Sequence, residues 1–121
     1  MKWASYIDAN DPPIFSVHDD GDDVVPYGTG TANMVGFPII AMQGSFEMHA
    51  KAQLEGVTSE LITIPNSTGH VSYFDGGAGT DSILFRTQEF LYPLICNSEL
   101  GIKESVVTSE LMAYPNPVNN E

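Results

Sequence analysis

Two short apolar runs constrain the fold most, because each runs into a loop that carries ionisable side chains. Within residues 12–26, the apolar side chains of Ile14, Phe15 and Val17 lie between prolines and an acidic loop, a pattern typical of a buried strand. Residues 60–64 show the same character and predict a second strand. Two such strands with a helix between them form a βαβ unit, so the sequence predicts an α/β fold with parallel strands.

The segment between these strands is expected to hold a long surface loop and one helix. Residues 27–44 contain glycines and a proline without periodicity, which predicts the loop. Ser45 is the predicted N-cap of the helix, and Gly56 is its predicted end. Apolar side chains follow Ser45 at four-residue spacing, namely Phe46, Ala50 and Leu54.

A second loop and a last helix follow the second strand. Residues 65–79 are rich in Gly, Ser and Asn and contain His70 directly after a glycine. Either Thr80 or Asp81 is the predicted cap of a helix that reaches about Tyr92, close to a proline. We also expect residues 1–11 to contain the end of a helix.

The acidic composition excludes several classes of function. Sixteen Asp and Glu against four Lys and Arg give a net charge of -12, which argues against binding to nucleic acid or to an anionic membrane. No apolar run approaches the roughly 20 residues of a membrane span, and the N-terminus lacks the apolar core of a signal peptide. Cys96 is the one cysteine, so neither an internal disulfide nor a cysteine metal site is expected.

An acid and a histidine follow the two predicted strands. Four aspartates lie in the first loop, and the carboxyl ends of parallel strands share one edge of a sheet. Asp22 and His70 are therefore candidates for the acid and the base of a nucleophilic triad. Two alternatives stay open, because the acidic loop is also typical of a solvated turn, and clustered carboxylates suit calcium. The loop lacks the ligand spacing of an EF-hand.

No nucleophile of the matching kind is present in the sequence. The motif Gly-x-Ser-x-Gly, which exposes a serine on a strand-to-helix turn, does not occur. The nearest approach surrounds Ser45, but Glu47 stands where the second glycine belongs. We therefore interpret Ser45 as a helix cap.

Residues 16–27 resemble the His-Gly-x-x-Asp-x-x-Val-Pro signature around the triad acid of α/β-hydrolases of the esterase/lipase type. The resemblance implies that Asp22 is the triad acid and that His18 is a structural residue at the end of the strand. One departure is that Asp19 stands at the glycine of the signature, which puts the usual tight turn in question.

Residues 44–69 are similar to the helix and last strand before the Gly-His of the same family, and this similarity makes His70 the base. The resemblance covers about residues 3–96. It implies the C-terminal βαβα portion of an α/β-hydrolase parallel sheet, incomplete as a fold on its own. The parts that supply the nucleophile serine and the oxyanion hole in the family have no counterpart here.

Residues 111–121 resemble the opening of the C-terminal sorting domain of type IX secretion in Bacteroidetes. The implied organisation is a hydrolase portion at residues 1–97, a linker at residues 98–110 and the truncated start of a sorting domain at residues 111–121. The parent protein is then expected to be exported to the cell surface or beyond, although this chain carries no signal peptide.

These observations predict a fragment of a secreted serine hydrolase that acts on carboxylic esters in its parent protein. Neither a metal nor an organic cofactor is implied. The chain alone is expected to be inactive, and its open sheet edges are expected to cause self-association or binding of a partner subunit. The alternatives are a small acidic binding or structural module, with or without calcium, and a full-length protein that has lost catalysis.

Overall fold

The computed structural model describes residues 3–96. The predicted linker and sorting domain, at residues 98–110 and 111–121, lie outside the described residues. In chain order the elements are a short 3-10 helix (Trp3–Tyr6), β1 (Ile14–Asp19), β2 (Thr29–Met34), β3 (Phe37–Gln43), α1 (Ser45–Glu55), β4 (Ser59–Ile64) and α2 (Ala78–Cys96).

The two predicted strands form a parallel pair. β1 and β4 pair in register from Ile14 opposite Ser59 to Asp19 opposite Ile64. Their carboxyl ends therefore lie side by side, and the loops that follow them leave the sheet at the same edge. This mixed arrangement of helices and a small parallel sheet confirms the predicted α/β class.

One helix packs on each face of this sheet. Ile14 packs against a buried cluster of Ile7, Ala52 and Val57 on the side of α1. The next residue, Phe15, points the other way and stacks on Phe90 of α2, with ring centroids 5.3 Å apart. Because successive side chains of a strand alternate between faces, these contacts place α1 and α2 on opposite sides.

The prediction of a long loop over residues 27–44 was wrong, because β2 and β3 form an antiparallel hairpin there. Its two-residue turn has positive φ angles of 51° at Val35 and 80° at Gly36, the pattern of a type I′ turn. The ladder is irregular near Pro38, which has no N–H to donate. Most of β3 is exposed on both faces, so the sequence shows no alternation that would reveal a strand.

The predicted cap of α1 was also wrong. The N-cap is Gly44, and no side chain caps it, while Ser45 is already the first helical residue. The hydroxyl of Ser45 bonds to the ring of His18 instead. The predicted end at Gly56 is confirmed, with φ at 77° and the N–H bonded to the last turn.

Helix α2 begins earlier and ends later than predicted. Asp75, rather than Thr80 or Asp81, caps it by accepting hydrogen bonds from the backbone N–H groups of Gly77, Gly79 and Thr80. The backbone N–H bonds from Gly77 and Thr80 hold the pKa of Asp75 below its usual value. Pro93 lies inside the helix. Within residues 3–96, no helix is both long and apolar enough to cross a membrane.

Candidate active site

The structure brings the two candidate residues together at the carboxyl edge of the parallel sheet. Nδ1 of His70 lies 2.8 Å from Oδ2 of Asp22, although 48 residues separate them in the sequence. Asp22 follows β1 and His70 follows β4, so the contact arises directly from the parallel register.

Asp22 is held in place by the backbone of its own loop. Its side chain is only 3% exposed. Oδ1 accepts hydrogen bonds from the N–H groups of Val24, at 2.8 Å, and Val25, at 2.9 Å. Burial raises the pKa of Asp22, but the hydrogen bonds from His70, Val25 and Val24 outweigh it and hold the pKa below its usual value.

The ionised state of Asp22 determines the tautomer of His70. A carboxylate can only accept hydrogen bonds, so Nδ1 of His70 carries the proton and donates it to Oδ2. The neutral ring then has its lone pair on Nε2. The side chain of His70 is 44% exposed, which leaves the ring accessible to a reacting group. The pair can therefore accept a proton at Nε2 and stabilise the cation that results.

His18, the predicted strand-end residue, is buried and supports the same carboxylate. Its Nε2 lies 3.1 Å from the carbonyl oxygen of Val25 and 3.4 Å from Oδ2 of Asp22. Both neighbours are acceptors, so Nε2 carries the proton. Nδ1, 2.7 Å from Oγ of Ser45, then accepts the hydroxyl proton of that serine. The ring thus links α1 to the loop of residues 20–28, which carries Asp22 and is here called the acid loop.

Ser45, His18 and Asp22 form a continuous chain of polar contacts that the sequence did not reveal. The spacing of these residues carries no local signal, because Ser45 reaches His18 across 27 positions. The cleft beside Asp22 is lined by His18 but not by Ser45. The hydroxyl of Ser45 is therefore not part of the surface around His70, and its contact with His18 joins α1 to the end of β1.

The acid loop is joined by two hydrogen bonds to the loop of residues 65–77, which carries His70 and is here called the histidine loop. The N–H of Gly21 donates to the carbonyl oxygen of Ser67 at 2.9 Å, and the N–H of Ser67 donates to Oδ1 of Asp20 at 3.2 Å. A Cβ at position 21 would lie 2.9 Å from that carbonyl oxygen, which only glycine avoids. These bonds fix the separation of the two loops.

Asp19, which replaces the glycine of the resembled signature, is fully buried. Its Oδ2 accepts the N–H of Ser72 at 3.1 Å, and its Oδ1 accepts the Ser72 hydroxyl. Burial raises the pKa of Asp19, but the hydroxyls of Ser67 and Ser72, the N–H of Ser72 and the nearby His18 hold it below its usual value. The departure from the signature therefore adds a contact to the histidine loop.

A small cleft of about 160 Å³ opens at this site. Its lining includes both candidate residues, Tyr73 and apolar side chains, namely Val17, Val25 and Val71. Burial and the carboxylates of Asp19 and Asp22 raise the pKa of Tyr73, so its hydroxyl keeps its proton and can donate it. Residues 27–44 contribute nothing to this lining.

The acidic loop does not present its oxygens to a shared point. The carboxylates of Asp19, Asp20 and Asp22 each accept hydrogen bonds from protein donors. In the described part of the chain, no group of three or more His, Cys, Asp or Glu side chains could hold a metal ion. This geometry does not favour the calcium alternative.

Comparisons of the chain with protein-family models, with curated proteins and with solved structures found no match. The function must therefore be inferred from the geometry of the site.

Proposed function

We propose that this chain carries the acid and the base of a serine hydrolase that cleaves carboxylic esters. The observation that supports the proposal is the hydrogen bond of 2.8 Å between Nδ1 of His70 and Oδ2 of Asp22. The acid is buried and ionised, and the ring is exposed on its other side. The finer assignment, the C-terminal portion of an α/β-hydrolase of a secreted protein, rests on the sequence resemblance.

In this mechanism Nε2 of His70 removes the proton from a serine hydroxyl as the serine oxygen bonds to the ester carbonyl carbon. Asp22 holds the ring and stabilises the imidazolium. The imidazolium then returns the proton to the leaving alcohol when the ester bond breaks. A water molecule, activated by the same nitrogen, releases the acid and restores the serine. The serine and its oxyanion hole would come from polypeptide outside these 121 residues.

The first prediction is that the chain alone does not hydrolyse p-nitrophenyl acetate, because no serine is among the described residues that line the cleft with His70. The measurement is release of p-nitrophenol by the purified chain. Turnover that disappears on His70→Gln would show that the nucleophile is within the chain and would contradict the proposed division of the site.

The decisive test joins the chain to the polypeptide encoded directly before Met1. We expect the joined protein to hydrolyse the same ester, and Asp22→Asn to lower kcat on the order of 10⁴-fold, because an amide fixes the wrong tautomer of the histidine. The control is His49→Gln, since His49 lies in α1 and bonds to Ser59, away from the site. No hydrolysis would reject the proposal and favour a protein that has lost catalysis. Hydrolysis that survives His70→Gln would also reject it, because the base would then be another residue.

Calorimetry separates the proposal from a calcium-binding module. We expect no binding heat when calcium is titrated into the chain, since the carboxylates of Asp19, Asp20 and Asp22 each accept hydrogen bonds from protein donors. A binding heat that is lost on Asp22→Asn would favour the module instead.

A further inference from the structure

Asp19 is a buried charge whose partners belong to the segment that carries His70. A carboxylate without exposure to solvent needs hydrogen bonds to remain ionised. The bonds to Asp19 come from the backbone and the hydroxyl of Ser72, two residues beyond His70. On the other side of His70, the hydroxyl of Ser67 lies 3.3 Å from that of Ser72 and accepts the N–H of Gly69 at 3.3 Å.

The backbone between His70 and Ser72 needs such an anchor. Val71 has a positive φ of 56°, a conformation that a β-branched residue rarely adopts. Residues in this region keep it only where the surrounding structure determines it. The two bonds between Ser72 and Asp19 supply that restraint, because they fix the residue next to Val71 to the end of β1.

We propose that Asp19 is a positioning residue for His70, acting through Ser72 to hold the histidine loop where Nδ1 meets Asp22. This inference rests on the proposed function of the His70–Asp22 pair. It extends that function because Asp19 stands where the resembled signature has a glycine, which offers no such anchor. The hydrogen bonds of Asp19 go to Ser72 and not to the ring of His70, so its proposed effect is on the orientation of the ring.

The test is the tautomer of His70 in the full chain of 121 residues. Long-range ¹H–¹⁵N NMR at a pH where the imidazole is neutral distinguishes a proton on Nδ1 from a proton on Nε2. In the unmodified chain we expect a single form with the proton on Nδ1. In Asp19→Asn and in Ser72→Ala we expect loss of the single form and a mixture of both tautomers, with the backbone amide signals of α1 and of the first residues of β1 and β4 unchanged.

Two further variants separate positioning from general stability. Ser72→Thr keeps the hydroxyl and should retain the single tautomer. Asp23→Asn removes one charge from an exposed position of the same loop and should also retain it. If Asp19→Asn does not fold, Ser72→Ala decides, because Ser72 is exposed and its replacement leaves the sheet intact.

Each outcome has a definite meaning. A single Nδ1 tautomer that persists in both Asp19→Asn and Ser72→Ala overturns the role of Asp19 and leaves the proposed function standing. An unmodified chain without the Nδ1 tautomer contradicts the His70–Asp22 pair itself, and both proposals then fall. A tautomer that depends on Asp19 supports the inference even if the joined polypeptide shows no esterase activity.

Discussion

Asp22 divides its two oxygens between the loop and the histidines. Oδ1 accepts two backbone N–H groups, and Oδ2 faces His70 at 2.8 Å and His18 at 3.4 Å. The amide of an asparagine in its place could keep an oxygen toward the two backbone N–H groups. Its NH₂ group would then face the N–H groups of both histidine rings, and two donors cannot form a hydrogen bond. The negative charge, and not only the shape of the side chain, therefore holds the site together.

This charge makes part of the stability depend on pH. The pKa of Asp22 is lowered in the folded chain, so its contribution is complete above the unfolded value of about 3.9 and is lost as the pH falls through the folded value. We expect Asp22→Asn to lower the free energy of unfolding by about 1–3 kcal/mol well above that pH, because a hydrogen bond to a buried charge is lost. Urea unfolding from about pH 5 downward should show the difference between the two proteins shrinking.

Asp19 is present in both proteins, so its contribution to the pH dependence cancels in the difference between their free energies of unfolding. The matched control is Asp23→Asn at an exposed position of the same loop, which should change stability by no more than about 0.5 kcal/mol. A difference between the unmodified chain and Asp22→Asn that stays constant with pH would show that the charge is not what stabilises the fold.

At the scale of elements, the junction between β3 and α1 fixes the helix against the end of the acid loop. The N–H of Gly44 donates to the carbonyl oxygen of Gly28 at 2.7 Å, and the N–H of Phe46 donates to that of Tyr27 at 3.0 Å. This close approach brings Ser45 within reach of His18. The position of α1 thus supports the buried ring that contacts Asp22.

Gly44→Ala should disrupt this junction. A Cβ at position 44 would lie 1.8 Å from the carbonyl oxygen of Pro26, so the backbone must move, at a cost of at least about 1–3 kcal/mol. In Gly28→Ala the nearest atom to the new Cβ is a side-chain oxygen of Glu47 at 3.9 Å, and we expect little change. Urea unfolding of both variants measures the difference in their free energies of unfolding. Equal values would contradict the close contact between Gly44 and Pro26.

At the scale of the whole molecule, residues 3–96 leave much apolar surface exposed. The parallel sheet has two strands, so each strand has one neighbour among the described elements. A groove of about 370 Å³ on α2 is lined mainly by apolar side chains, among them Leu84, Leu91 and Ile95. Exposed apolar patches and open strand edges are typical of surfaces that associate.

We expect the chain to associate in solution, and more strongly at high salt. The net charge of -12 makes copies repel one another, and raising the salt from about 0.01 M to about 1 M shortens the screening length from about 30 Å to about 3 Å. Sedimentation velocity should therefore show larger species at high salt.

Leu91→Asn should reduce association, whereas Gln88→Asn in the same groove should not. A well-folded monomer under both conditions would contradict the prediction.

Local pattern was sufficient for the two parallel strands, the class of fold and the end of α1 at Gly56. The apolar run that includes Ile14 and Phe15, between prolines and an acidic loop, is typical of a strand, and a glycine directly after a helical pattern is typical of a helix end. The hairpin at residues 27–44 was missed because apolar and polar residues do not alternate in the sequence of either strand. The early start of α2 was missed because Asp75 caps the helix from three residues before its first residue.

The sequence by itself determined that an acid loop and a histidine loop would leave one edge of a parallel sheet, because strand direction follows from the βαβ order. Only the tertiary structure decided which atoms meet there. The contacts of Asp22 with His70, of His18 with Ser45 and of Asp19 with Ser72 join residues 27 to 53 positions apart. Such contacts depend on the register of the strands and on the packing of α1, which no local pattern encodes.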